Sequence, residues 1–247
     1  MENNAQQREN SPQSFRSRLE NFWYHYKWHS IVAIILIFAI TVCSLQMCEK
    51  ESYDSYVMYA GGYDINRKSE SGDVSEYVSI TSSLKRVAKD YDGSGEVTIL
   101  LKDIFMLSEE EINDIENSDE NLEINYSLLS QNKSILLETM RYSEYYVCLI
   151  SPAVYEQYKV MADVEIFMPI EDYIEDYSEA KLYEKDAALL STTDFYTLPG
   201  ISHLPKNTLL TLRRVSPFAS KASKKKAEKE FKKAEEIIIE ILNYKAK

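Results

Sequence analysis

Apolar residues fall along this chain in three patterns. Residues 30–48, SIVAIILIFAITVCSLQMC, carry no charge and are apolar on every side. A core helix is usually shorter or amphipathic, whereas a run close to the ~20 residues that cross a bilayer predicts a transmembrane helix. The rings of Phe22, Trp23, Tyr24, His25, Tyr26 and Trp28 stand just before it, and such rings favour the headgroup layer. The second pattern is the short continuous apolar run, which predicts a buried strand. It occurs at residues 56–60 (YVMYA, closed by Gly61-Gly62), 97–101, 145–150 (YYVCLI), 187–190 and 209–215, with 166–170 extended.

The third pattern is helical spacing. Tyr77, Ile80, Leu84, Val87 and Ala88 predict a helix ending near Lys89. Ser108 followed by Glu111 has the form of a capping box. Residues 128–140 read as a helix with Ile135, Leu136 and Leu137 inward, and Ser151-Pro152 opens another that runs to about Met161. Residues 220–244 form a last, long helix with a stripe of Ala227, Phe231, Ala234, Ile238 and Ile241. Helices alternate with strands that are apolar throughout. The class expected is therefore α/β: one N-terminal transmembrane helix, then a mostly parallel sheet covered by helices.

Charge adds a topology. Lys and Arg near the apolar run lie mainly on its N-terminal side, at Arg8, Arg16, Arg18 and Lys27, against Lys50 and then Arg67 beyond it. The positive side stays in the cytoplasm, which places residues 1–27 inside as a polar tail, 28–48 in the bilayer and 49–247 outside. No small-residue cleavage site follows the run, so an uncleaved anchor is expected. Val42 before Cys43 is not the small residue a lipoprotein cysteine needs.

The net charge is −12, which disfavours nucleic acid as a partner. Residues 49–212 hold 13 Lys and Arg against 32 Asp and Glu, whereas residues 213–247 hold 11 against 5. The body is acidic and its last helix basic. Cys148 stands alone in the outer region, so no disulfide supports it and its core must. His203 is its single histidine, which removes most zinc sites and most histidine-based catalysis.

The helix from Leu128, the strand YYVCLI, the Ser-Pro helix ending Tyr158-Lys159, and the segment Phe167-Met168-Pro169-Ile170-Glu171-Asp172-Tyr173 together resemble part of the solute-binding proteins of ABC transporters. The run FWYHYKWHSIV is similar to the start of the anchor in membrane-anchored extracytoplasmic proteins of Gram-positive bacteria. The chain beyond the anchor is one domain's worth, a single lobe. The resemblance implies a solute-binding-like or accessory module beside a membrane transporter. The alternative is a structural protein of the cell envelope that docks a protein partner.

The most informative motif is Asp90-Tyr91-Asp92-Gly93-Ser94-Gly95-Glu96. A calcium loop needs oxygens at alternate positions, a glycine for the turn and then a carbonyl. Asp90, Asp92 and Ser94 supply the oxygens, Gly95 the turn and Glu96 the carbonyl. Leu101 occupies the position of the usual closing glutamate, so Asp103 or another loop would have to complete the shell. The competing reading is a polar helix-to-strand turn. The basic residues 221–233 suit anionic lipid, a wall polymer or the acidic body itself. The acidic cluster Glu171, Asp172, Glu175, Asp176 and Glu179 reads as a solvated face rather than a glycosidase pair. No phosphate loop, nucleophile elbow or metalloprotease motif occurs, and no enzyme is expected.

Overall fold

A computed structural model describes residues 15–48, 53–66, 75–118, 124–176, 178–216 and 221–246, without the side chains of 15–21, 44–48 and 221–223. The expected tail before residue 15 and the charges at Arg8, Lys50 and Arg67 lie outside this set. The chain divides into two compact units, Met1–Ser52 and Tyr53–Lys247.

The first unit is one helix, α1 (Phe15–Cys48), running unbroken through the aromatic and apolar runs. Its stretch Phe22–Cys43 is 22 residues long and wholly unburied. At ~1.5 Å per residue it spans roughly 33 Å, enough for a hydrocarbon core of ~30 Å. Near its end the Thr41 hydroxyl donates back to the Ile37 carbonyl at 2.8 Å, so that hydroxyl needs no water inside the bilayer. This is the architecture of a single-pass membrane protein.

The second unit is built on a seven-stranded mixed sheet. β1 (Ser55–Gly61) pairs in parallel with β2 (Ile99–Phe105) on one side and with β3 (Val147–Ile150) on the other. The remaining strands are antiparallel. β6 (Phe167–Met168), β7 (Lys181–Glu184), β8 (Ala187–Leu189) and β9 (Leu209–Arg213) extend the sheet in the order β3-β9-β8-β7, with β6 also on β9. A small separate hairpin joins β4 (Val160–Met161) to β5 (Val164–Glu165).

The helices are α2 (Glu76–Leu84), α3 (Glu109–Glu116), α4 (Tyr126–Tyr142), α5 (Pro152–Tyr158) and α6 (Lys221–Leu242). They cover both faces, and the alternation of side chains along each strand shows it. Val57, Tyr59, Val147 and Leu149 point into one core with Ile80, Leu84, Ile237, Ile238 and Ile241 of α2 and α6. Met58, Ala60, Cys148 and Ile150 point into the other with Leu136, Met140 and Tyr155 of α4 and α5. Burial on both sides is why these strands are apolar at every position.

Several expected boundaries move. The first outer helix stops at Leu84 rather than Lys89, although Val87 remains buried in the core. The Ser-Pro helix stops at Tyr158 instead of Met161, because Val160 and Met161 leave it to form a hairpin strand. The turn of that hairpin has Ala162 and Asp163 at φ 51° and 62°, the left-handed pair that a two-residue hairpin requires. The acidic stretch before Glu184 ends in an additional strand, β7, with every residue exposed. Three N-caps fall where the sequence pattern lets them. Ser108 makes both bonds of the capping box, Ser151 accepts from the Val154 N–H ahead of Pro152, and Asn125 accepts from the Leu128 N–H.

Candidate functional site

The Asp90–Glu96 motif joins α2 to β2 as a turn held by its own carboxylates. Asp90 Oδ1 accepts from the N–H groups of Gly93 at 2.6 Å and Ser94 at 3.2 Å, and its Oδ2 from that of Gly95 at 2.8 Å. These donors, the Gly95 N–H first, hold the Asp90 carboxyl below its ordinary range. Gly93 and Gly95 sit at φ 74° and 89°, where a side chain would be strained. Asp92 Oδ1 accepts from the Ser94 N–H at 2.8 Å. The Ser94 hydroxyl turns to the Glu96 carbonyl at 3.0 Å, so those two expected ligands bond to each other.

A residue the sequence pattern does not point to stands beneath the turn. Asp54, 1% exposed, precedes β1. Its Oδ1 accepts from the N–H groups of Tyr91 (2.7 Å) and Asp92 (3.2 Å), and its Oδ2 from the Thr98 N–H (2.8 Å) and hydroxyl (3.1 Å). One oxygen of each of Asp54, Asp90 and Asp92 lies within 4.8 Å of the others. Three carboxylate oxygens at this spacing are a donor set that a hard divalent cation suits. Asp103, the residue expected to complete the shell, does not join it. It lies towards the opposite end of β2, where Asn66 Nδ2 donates to its Oδ2 at 2.6 Å and its Oδ1 has no partner among the described residues. Burial, and then Asp64 nearby, push its carboxyl up to about 6.

The opposite, carboxyl, edge of the parallel strands holds a different feature. β2 and β3 flank β1 on opposite sides, so the chain reverses its direction of travel at β1, which makes this the topological switch point of the sheet. The strand ends are stitched together here. The Met106 N–H donates to the Gly61 carbonyl at 2.9 Å and the Ser151 N–H to that of Ala60 at 2.9 Å. Gly61 and Gly62 lie close under two side-chain tips, which would have to shift to admit a Cβ. A Cβ would stand 2.8 Å from Tyr59 Oη at the first and 2.7 Å from Glu111 Oε1 at the second.

Beside these ends a cavity of about 580 Å³ opens between the starts of α3 and α5 and one face of α4. Its polar lining includes Ser108, Glu109, Ser130, Lys133 and Gln157, and Met106, Leu129 and Val154 form part of its apolar wall. The sequence names Ser108 and Ser151 as caps. It does not show that the caps after β2 and β3, the two strands flanking β1, border one space.

Other sequence candidates resolve as structure. Glu171, Asp172, Glu175, Asp176 and Glu179 are all exposed. Asn132 Nδ2 donates to the Phe105 carbonyl at 2.8 Å. His203 Nδ1 lies 2.9 Å from Glu76 Oε2. A polar cluster that the spacing does not announce joins Tyr155 to β7 and β8. Its hydroxyl is 2.5 Å from Asp186 Oδ1 and 2.9 Å from Glu184 Oε2, and Lys159 Nζ is 2.9 Å from Glu184. No protein-family model, curated protein or solved structure matches the chain.

Proposed function

We propose that this is a membrane-tethered, extracytoplasmic binding module that takes a small polar solute at the carboxyl edge of its parallel strands and binds it without transforming it. One observation carries the reading. A cavity of about 580 Å³ lies at the switch point of the sheet, where open α/β domains bind their ligands, and its size is within the range usual for small-molecule sites. The orientation rests on Arg16, Arg18 and Lys27 before the span. The architecture is consistent with a broad periplasmic-binding-like lobe, and an accessory role beside a transporter follows from that likeness. The test is thermal unfolding of the full chain in detergent against sugars, amino acids and short peptides, with Lys133→Ala as control. A solute at 100 times its dissociation constant adds ~2.7 kcal/mol, a rise of roughly 5–10 °C. A flat panel, or a rise that survives Lys133→Ala and Gln157→Ala together, refutes it.

A second reading concerns the Asp54, Asp90 and Asp92 cluster, which favours a weak calcium site. Its affinity belongs in the extracellular range of ~10⁻⁴–10⁻³ M, and its role is to pin the turn. Ser94 and Glu96 contribute through the turn that shapes the site. Millimolar calcium raises the unfolding midpoint over chelator, and Asp92→Asn cancels the rise. Equal midpoints in calcium and chelator reject this reading.

A further inference from the structure

A second cavity, of about 380 Å³, lies at the opposite edge of the sheet, near the first residue of β3. Its walls are apolar, from Met140 at the end of α4, Met161 and Val164 of the β4–β5 hairpin, Ile166 and Val215. Its charges are unusual for this acidic domain. Arg141, Arg213 and Arg214 line it against the single carboxylate of Glu165, and that carboxylate is already held by Lys185 at 3.0 Å and Arg214 at 3.5 Å.

Arg213 is the informative member. It is 1% exposed. Its guanidinium donates to main-chain carbonyls of Tyr145 (3.1 Å), Met140 (2.9 Å) and Ser143, and lies 4.8 Å from the centre of the Tyr146 ring. No carboxylate pairs with it among the described residues. The carbonyls at the end of α4 satisfy its N–H groups and place it against the negative end of a helix dipole. They leave a full positive charge in a dry setting, where charges are ordinarily matched by an opposite one.

From this cavity we infer a second binding site, for a small amphipathic carboxylate whose apolar body fills the space between Met140, Met161 and Val164 and whose anionic head faces the arginines. It is independent of the solute site proposed above, since the two cavities lie at opposite edges of the sheet and share no lining residue.

The test uses three water-soluble probes with one body and different heads: 4-phenylbutyrate, 4-phenylbutanol and 4-phenylbutylamine. Each is titrated calorimetrically into the full-length chain in detergent, with empty micelles subtracted. The carboxylate is expected to bind at least tenfold more tightly than the alcohol or the amine. Arg214→Gln should reduce that preference severalfold, and Val164→Trp, which fills the cavity from a half-exposed wall, should abolish binding. Both positions are partly exposed, so these variants keep the fold and the test remains readable even where Arg213→Gln unfolds. Equal binding of the three heads, no binding of the carboxylate, or binding unaffected by Val164→Trp overturns the inference.

Discussion

Asp54→Asn isolates what the buried carboxylate contributes beneath the Asp90–Glu96 turn. The change keeps the shape of the side chain and removes its charge. The two carboxylate oxygens now accept four hydrogen bonds, from Tyr91 and Asp92 on one side and from both Thr98 donors on the other. An amide has one oxygen, so one pair of donors must face an NH₂ group. Hydrogen bonds to a charged acceptor contribute ~1.5–3 kcal/mol each, and water reaching the exposed turn restores part of what is lost. Relief of repulsion from Asp90 and Asp92, whose oxygens lie within 4.8 Å, offsets a further part. The net cost is about 2–4 kcal/mol, and at ~2–4 °C per kcal/mol for a domain of this size the midpoint falls by roughly 4–16 °C. The assay is thermal unfolding of the full chain by far-ultraviolet circular dichroism in chelator, so that no metal contributes. A midpoint within about 2 °C of the parent, well inside that expected fall, would show that the carboxylate does not anchor the turn.

Three further outcomes are expected. Asp103, raised to about 6, holds a proton in the folded protein that the unfolded chain has already released between about pH 4 and 6, so its contribution to stability is lost as pH rises through that window. Asp103→Asn, with the Asn66 contact kept, should therefore raise the midpoint at pH 7.5 by ~1 kcal/mol equivalent after solvent screening and leave it unchanged below pH 4; parallel curves at the two pH values reject the assignment. Ile238→Ala should cost ~2–5 kcal/mol in a denaturant titration, because Ile238 is fully buried in the core, and deletion of residues 221–247 should leave no cooperative transition. Burial pushes the Cys148 thiol up to about 12, so maleimide at pH 8 should modify it only in denaturant, as peptide mass mapping would read directly; labelling in the native state would mean that the strand opens.

The α/β class, the anchor and most helix starts are legible because each rests on a local signal. An uncharged run marks the spanning part of α1, a Ser cap marks the starts of α3 and α5, and continuous apolar runs mark β1, β3 and β9. Strand direction is another matter. β9 reads like β1, yet it runs antiparallel to β3, a direction that apolar composition cannot report. β7 is invisible for the opposite reason: its residues are exposed, and its pairing comes from β8 rather than from burial. At the candidate metal cluster, two of three carboxylates belong to one legible turn. The third, Asp54, lies 36 residues before Asp90 and is brought to it only when β1 and β2 align. Arg213 is hidden similarly, since a basic residue near the end of the strand expected at 209–215 gives no sign that it is buried.

The basic last helix shows how such a sequence oddity resolves once partners are known. Lysines crowd the start of α6 and glutamates its later turns, against the helix dipole, at a cost of ~0.3–1 kcal/mol for each misplaced exposed charge. The acidic body supplies compensation. Lys226 meets Glu144 at 2.7 Å, and Lys89 meets Glu236 at 2.9 Å. Both pairs are largely exposed and worth little each, so they do not by themselves hold the helix. Ile237, Ile238 and Ile241, fully buried against the sheet, do that. The apolar stripe that a docking partner would have used is therefore occupied within the domain. What α6 leaves to solvent is a charged face without an apolar centre, and interfaces of lasting affinity are usually built around one. Two surfaces of the described residues that combine enclosure with chemistry lie at the two edges of the sheet, and binding should be sought there first.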